Sequence, residues 1–109
     1  KYAEGTKFIG VYSPEKASSA YVSFAEGFEK TYNYIPSFAS VLGADAFQTL
    51  YLGLKGAKAL TPTNVKQAIL ATNIIEGLQE EFSIDKFGDD TKDYMFFELI
   101  NGIYVPLRE

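Results

Sequence analysis

The stretch YMFFELINGIYVPL, residues 94–107, carries the clearest local fold signal in the sequence. Two apolar runs rich in β-forming residues, Tyr94 to Ile100 and Ile103 to Leu107, flank Asn101-Gly102. Asn and Gly tolerate the positive φ angles that a two-residue type I′ turn requires. The sequence therefore predicts a β-hairpin. Because Pro106 lacks an N–H donor, its strand is expected at a sheet edge or to end there.

Two further segments are predicted to be β-strands. Lys7 to Tyr12 (KFIGVY) is a short apolar run between Gly5 and Ser13-Pro14, and its length favours a buried strand over a helix. Glu81 to Ile84 alternates polar and apolar residues, which is typical of a half-buried strand.

Three stretches between these strands have helical periodicity. The first is capped by Ser18 or Ser19 and must end before Tyr34, because a proline follows at position 36. The second spans roughly Ser40 to Lys58, and the third runs from its N-cap Thr61 to about Thr72. The faces predicted to be buried are Tyr21, Phe24, Ala25, Phe28 and Tyr32; then Phe47, Leu50, Tyr51 and Leu54; then Val65, Ala68, Ile69 and Leu70.

The second helix contains three glycines, Gly43, Gly53 and Gly56. Each weakens a helix by about 1 kcal/mol relative to Ala. We therefore expect a neighbouring element to approach this helix closely, and tertiary packing to stabilise it.

Composition limits both the fold and the function. A chain of 109 residues with 47% hydrophobic residues is expected to form one α/β domain, with three helices on a sheet, and to bury roughly two-thirds of its extended surface. Its net charge of −4 does not suit a nucleic-acid partner. Without His or Cys the chain has no thiol nucleophile, imidazole base, disulfide or usual zinc site. A metal would need oxygen ligands alone, and neither a metal nor a cofactor is expected.

Four aspartates around Gly88 superficially suggest a calcium loop. The spacing does not fit an EF-hand loop, because Phe87 and Phe96 occupy loop positions 3 and 12, where calcium ligands are required. The aspartates are Asp85, Asp89, Asp90 and Asp93. We expect an Asx-type turn instead, in which an Asp side chain accepts hydrogen bonds from nearby backbone.

No coherent catalytic constellation is present in the sequence. Glu76, Glu80 and Glu81 resemble a solvated acidic face more than an acid/base pair. The chain is therefore not expected to be an enzyme.

Five residues have both a structural and a ligand-binding interpretation: Asp45 and the candidate pocket aromatics Tyr12, Tyr34, Phe38 and Tyr51. Asp45 lies among apolar neighbours on the second helix and needs a partner if buried, so it either braces a loop, which is favoured, or contacts a ligand. Tyr12 is at the end of a strand and Phe38 precedes a helix, where α/β sites open, so each is either a pocket residue or a core residue. Tyr51 shares the stripe of the second helix and is predicted to be core.

The order of these pieces resembles the type I periplasmic binding proteins, and more narrowly the leucine/isoleucine/valine-binding solute receptors of ABC transporters. The motifs that carry the resemblance are Tyr34-Ile35-Pro36-Ser37-Phe38, Gly43-Ala44-Asp45-Ala46, Ile75-Glu76-Gly77-Leu78, Phe82 to Asp89, and the Asn101-Gly102 hairpin. Three positions depart from the family's usual pattern: Ala44, Glu80 and Ile84.

The resemblance implies that the chain is the C-terminal third of such a receptor. It further implies a crossover strand at residues 1–13, part of one α/β lobe at 14–93 and a C-terminal hairpin at 94–109. Tyr12, at a crossover, and Phe38 with Ala39, at the cleft edge, would then contact the ligand.

The function implied is capture of an amino acid or similar solute outside the cytoplasm, in a periplasmic or extracellular protein with a lipid anchor in its parent form. Two lobes would close around the solute and deliver it to an ABC permease. The alternatives are a ligand-sensing receptor ectodomain with the same fold and an unrelated interaction module.

A chain starting at Lys1 is expected to be a piece of a longer protein. If the first strand and the hairpin belong partly to a second lobe, they lack sheet partners. Unpaired strand edges favour self-association, so a homo-oligomer or strand-swapped dimer is predicted.

Overall fold

The computed structural model of the chain describes residues 3–13 and 15–107. In chain order the elements are β1 (Lys7–Gly10), α1 (Ser19–Tyr32), α2 (Phe38–Gly56), α3 (Pro62–Ala71), β2 (Ile75–Glu76), β3 (Glu81–Phe82), β4 (Met95–Ile100) and β5 (Ile103–Pro106). The predicted α/β class is confirmed. The described strands form two small antiparallel sheets, whereas the sequence predicted one. Pro14, the first residue of the range 14–93, lies outside the described residues, as do the outer ends of the ranges 1–13 and 94–109.

The larger sheet has the strand order β1-β4-β5 and contains the predicted hairpin. Asn101 and Gly102 adopt φ angles of 52° and 76°, as their turn requires. Pro106 is the last residue of the edge strand β5, so its missing donor leaves no gap in the ladder.

The first strand is paired within the chain. Antiparallel pairing joins Lys7–Gly10 to the residues from Met95 to Glu98, with Phe8 opposite Phe97. The expectation that this strand and the hairpin lack partners is therefore wrong. The predicted strand was also too long, because it ends at Gly10 and leaves Tyr12 beyond the sheet.

A carboxylate fastens the preceding segment to the hairpin turn. Glu4 accepts hydrogen bonds from the backbone N–H groups of Asn101, at 2.7 Å, and Gly102, at 3.0 Å. The N–H of Gly5 donates to the carbonyl of Leu99 at 2.9 Å. The segment before β1 thus follows the hairpin to its tip.

The helix boundaries follow local capping. Ser18 accepts a hydrogen bond from the Tyr21 N–H at 3.0 Å, and α1 ends at Asn33 in the left-handed conformation. Thr61 caps α3 as predicted, with Pro62 in its first turn. The second helix begins at Phe38, two residues earlier than predicted, and ends at Gly56.

Close approach between α2 and α3 depends on Gly53. A Cβ at this position would lie 2.4 Å from Ile69 Cγ1 and 3.3 Å from Val65 Cγ1. A Cβ at Gly56 would make ordinary contact with Ala68 at 3.5 Å, but nothing lies within 4 Å of one at Gly43. The expectation of a compensating neighbour is confirmed for Gly53 and wrong for Gly43.

A buried ion pair ties α2 to the second half of the chain. Lys92 Nζ donates to Asp45 Oδ2 at 2.5 Å, and the two side chains are only 5% and 7% exposed. The other carboxylate oxygen accepts the backbone N–H of Leu78 at 2.8 Å. Lys92 Nζ also lies 4.4 Å from the centroid of the Phe82 ring. Asp45 therefore braces a loop, as the favoured interpretation predicted.

The loop that Asp45 braces is packed too tightly for a side chain at Gly77. A Cβ there would lie 2.5 Å from the Glu80 carbonyl oxygen and 3.2 Å from Asp45 Oδ2. The Gly77 N–H donates to that same carbonyl at 3.1 Å. This glycine lets the chain turn sharply beside the ion pair.

The chain is elongated and exposes much apolar surface. Its radius of gyration is 16.6 Å, against about 13 Å expected for a domain of this length. Its accessible surface is 8086 Å², against about 6,000 Å² expected. The chain therefore buries less than the two-thirds that its length predicted.

The aromatic stripe of α2 accounts for part of this exposure. Phe47 is 70% exposed and Tyr51 is 48% exposed, and Leu50 and Leu54 are exposed as well. The prediction that this stripe, including Tyr51, is core is wrong for the described chain. The buried residues of α2 are Val41, Asp45 and Gly53, on a different face of the helix. None of the helices in the described part of the chain combines the length and the apolar character needed to cross a membrane.

We predict that Gly53→Ala lowers the free energy of unfolding by about 1–3 kcal/mol, because the new methyl group overlaps Ile69. Gly43→Ala is the matched control: it has open space and should raise stability by about 0.5–1 kcal/mol through helix propensity. Urea denaturation followed by circular dichroism measures both. Equal shifts in the two variants would contradict the packing described.

We predict that Asp45→Ala lowers the free energy of unfolding by about 3–5 kcal/mol, because it leaves the Lys92 ammonium buried without a partner. The exposed Asp93→Ala should change stability by no more than about 0.5 kcal/mol. The double variant Asp45→Asn/Lys92→Met removes both charges and keeps an acceptor for the Leu78 N–H, so it should recover part of the loss. Denaturant unfolding checks this order, and no recovery in the double variant would count against it.

Candidate functional site

The residues predicted to contact a ligand lie at the ends of two elements. Tyr12 follows β1 and is half-buried, with its hydroxyl 2.9 Å from that of Tyr21 in α1. Phe38 and Ala39 are the first two residues of α2; both are exposed, Phe38 by 60%. No described contact joins Tyr12 to Phe38 or Ala39.

The Tyr12 hydroxyl is held in its neutral form. Burial, reinforced by the hydrogen bond with Tyr21, raises the pKa of Tyr12 to about 12. At physiological pH the group therefore remains a neutral hydroxyl that can both donate and accept a hydrogen bond. It can orient a polar ligand atom without supplying charge.

Gln79 fixes the backbone next to Tyr12, and sequence reasoning missed it. Its amide oxygen accepts the Ser13 N–H at 3.3 Å. Its amide nitrogen donates to the carbonyls of Ser13, at 2.6 Å, and Lys16, at 3.2 Å. A single polar residue in a loop has no periodicity or spacing that reveals such a role. Only the approach of its loop to the end of β1 does.

The same loop holds the start of α1. The Ser18 hydroxyl accepts the Tyr21 N–H and donates to the Leu78 carbonyl. Lys16 and Glu80 form a partly exposed ion pair at 3.3 Å. Glu80, a departure from the resembled family, thus connects the two loops.

An open groove of about 500 Å³ lies between α1 and α2. Phe24, Phe28 and Tyr32 line one side, and Ser40 and Ala44 line the other. The ring of Phe28 packs 4.6 Å from that of Tyr32, centroid to centroid, which continues an aromatic row along α1. The groove is apolar and open to solvent, and it begins two residues from Phe38.

A second open groove, of about 420 Å³, lies over the buried ion pair. Aliphatic side chains of α2 and α3 line it, and so do Phe82, Asp45 and Lys92. Asp45 and Lys92 neutralise each other there, and Asp90 adds a carboxylate to the lining of the groove.

Of the acidic residues, Asp85 stabilises a turn, whereas two of the glutamates are simply exposed. Asp85 Oδ1 accepts the N–H groups of Phe87, at 2.8 Å, and Asp89, at 3.0 Å, which confirms the Asx-type turn. Glu76 and Glu81 are exposed on the paired strands β2 and β3. Over residues 3–13 and 15–107, no group of three or more acidic side chains is arranged to hold a metal ion.

Sequence comparisons find no match, either among protein-family models or among curated proteins. Solved structures do match. A leucine-binding protein from Thermotoga maritima has a TM-score of 0.81 and 23% identity over 97% of this chain and 31% of its own. An ABC transporter substrate-binding protein from Desulfitobacterium hafniense, in complex with Leu, has a TM-score of 0.85 and 24% identity over 96% of this chain and 32% of its own.

A third solved structure is an ABC transporter solute-binding protein from R. palustris in complex with benzoate, with a TM-score of 0.79 and 22% identity over 96% of this chain and 29% of its own. The chain thus spans about a third of the length of the structures that it matches. At these identities the likeness establishes the fold. The chain has the α/β fold of part of a type I periplasmic binding protein, and these three solved structures that share this fold are a leucine-binding protein and two ABC transporter binding proteins, one in complex with Leu and one with benzoate.

Proposed function

We propose that this chain is part of an extracytoplasmic receptor that captures an amino acid or a similar small solute and delivers it to an ABC permease. The observation that carries the proposal is the match over 96% of the chain to a substrate-binding protein in complex with Leu. Another matching structure contains benzoate. Leucine and benzoate both join a carboxylate to an apolar body, so this is the class of solute we propose.

In the proposed mechanism, two lobes close around the solute and shift the population to a closed state. This chain contributes Tyr12, Phe38 and Ala39 to the wall of the cleft. The exposed ring of Phe38 offers apolar contact, and the N-terminus of α2 is a favourable place for a carboxylate, because the first N–H groups of a helix have no partner within it.

We further propose that the receptor is not an enzyme. Its buried charged side chains neutralise each other in the Asp45–Lys92 pair, and Glu80 pairs with Lys16. None of these groups is poised for proton transfer to a substrate. We propose a periplasmic or extracellular location, with a lipid anchor in the parent protein.

The proposal predicts that the full-length protein binds leucine or benzoate and that Phe38→Ala weakens this binding about tenfold, through lost apolar contact. Isothermal titration calorimetry measures the affinity. The matched control is Phe87→Ala, since Phe87 is also exposed but lies in the Asx-type turn. If both variants lose the same affinity, Phe38 is not part of the site. If the full-length protein binds no amino acid and no aromatic acid, the proposed function is wrong.

We also propose that the chain, taken by itself, self-associates. Strand exchange is not required, because β1 already pairs with β4. The exposed stripe of α2, which includes Phe47 and Tyr51, supplies apolar surface whose burial favours association.

Light scattering at micromolar concentration is therefore expected to show a dimer or a larger species for the isolated chain. Phe47→Glu should shift it toward monomer, because a charge in the stripe opposes its burial. Phe87→Glu, an equally drastic change at an exposed Phe outside α2, should leave the size unchanged. If the isolated chain without substitutions is a monomer, this proposal is wrong.

A further inference from the structure

We propose that Gln79 is a positioning residue that sets the placement of Tyr12 toward the solute. This inference rests on the proposed function and deepens it, because it names the residue that holds one wall of the cleft. Gln79 itself does not need to contact the solute. It acts through the backbone on either side of Ser13 and through the loop to which it belongs.

The backbone after β1 requires such support. The strand ladder ends at Gly10, yet Ser13 is only 2% exposed. Polar backbone groups buried at such a position require hydrogen-bond partners. The Gln79 side chain serves both groups of Ser13, accepting its N–H and donating to its carbonyl. It therefore replaces the neighbouring strand that this segment lacks.

A third hydrogen bond extends this contact to the other end of the turn. We call these three hydrogen bonds of Gln79 the clamp. The Gln79 amide nitrogen also donates to the Lys16 carbonyl at 3.2 Å. The Lys16 N–H donates to the Ser13 carbonyl at 3.1 Å. Both ends of the turn between Ser13 and Lys16 thus meet at one amide, and Tyr12 lies between this turn and the end of β1.

The Tyr12 hydroxyl is held by the same loop through a second route. Its partner is the Tyr21 hydroxyl, at 2.9 Å, and Tyr21 lies in the first turn of α1. Ser18 caps that turn and donates to the carbonyl of Leu78, the residue before Gln79. The backbone that follows Tyr12 is therefore held directly by Gln79, and the Tyr12 hydroxyl is connected to Leu78 through Tyr21 and Ser18.

This segment is itself fixed to the interior. The Leu78 N–H donates to Asp45, whose other oxygen accepts the buried Lys92 ammonium. The clamp therefore connects the buried ion pair to the backbone next to Tyr12, at the proposed cleft. A change at Gln79 alters Tyr12 without removing any part of that ion pair.

The test uses Gln79→Ala and Gln79→Glu in the full-length protein, with leucine and benzoate as probes. Ala removes all three hydrogen bonds. Glu keeps the acceptor for the Ser13 N–H but places an oxygen against two carbonyl oxygens. The matched control is Gln67→Ala, at an exposed position of α3. Calorimetry measures affinity, and NMR of ¹³C-labelled tyrosines measures the pKa of Tyr12.

We expect both Gln79 variants to bind leucine or benzoate about tenfold more weakly than the unsubstituted full-length protein does. We also expect the pKa of Tyr12 to fall from about 12 toward its ordinary value of 10, because a loosened Tyr12 is less buried. Gln67→Ala should change neither quantity. Loss of general stability alone would not move the pKa of one tyrosine selectively.

An unchanged Tyr12 titration in both Gln79 variants overturns the inference. So does a shifted titration with unchanged affinity, because Gln79 would then place Tyr12 without consequence for the solute. If the pKa of Tyr12 falls in the Gln79 variants but the unsubstituted full-length protein binds neither leucine nor benzoate, the clamp on Tyr12 is supported and the proposed solute is overturned.

Discussion

The buried ion pair between Asp45 and Lys92 is the interaction on which the rest of the structure depends. It joins residues 47 positions apart, on α2 and before β4, and it holds the Leu78 backbone at the same time. Removing one member of such a pair leaves an uncompensated charge in the interior, which is far more costly than the intact pair. The pair therefore fixes the turn at Gly77, which has no room for a side chain, and the loop that follows it.

That loop connects the interior to the proposed cleft. Leu78 bonds to the cap of α1, Gln79 bonds to the turn after β1, and Glu80 pairs with Lys16. Three consecutive residues therefore hold the connection between β1 and α1. The partial burial of Tyr12 in this arrangement and its hydrogen bond to Tyr21 raise the pKa of Tyr12 above its ordinary value. In the proposed solute site, these short-ranged and directional hydrogen bonds to the backbone would preorganise Tyr12.

The second helix has apolar residues on two faces, and the described chain covers one of them. Val41, Asp45 and Gly53 are buried, whereas the stripe that includes Phe47 and Tyr51 is exposed. A helix with apolar residues on more than one side is typical of a position between two layers. The accessible surface of the chain is also larger than its length predicts, and the chain spans about a third of the length of the structures whose fold it shares.

Local interactions made much of the fold predictable from the sequence. The Asn101-Gly102 turn, the cap at Thr61 and the Asx-type turn at Asp85 each depend on residues within four positions of one another, so residue type decides them. The need of Asp45 for a partner was also predictable, because a buried carboxylate must be paired. Only the tertiary structure identified that partner as Lys92 and connected Gln79 to Ser13, 66 positions away. It alone showed that the aromatic stripe of α2 is exposed, because helical periodicity indicates which residues share a face and not what covers that face.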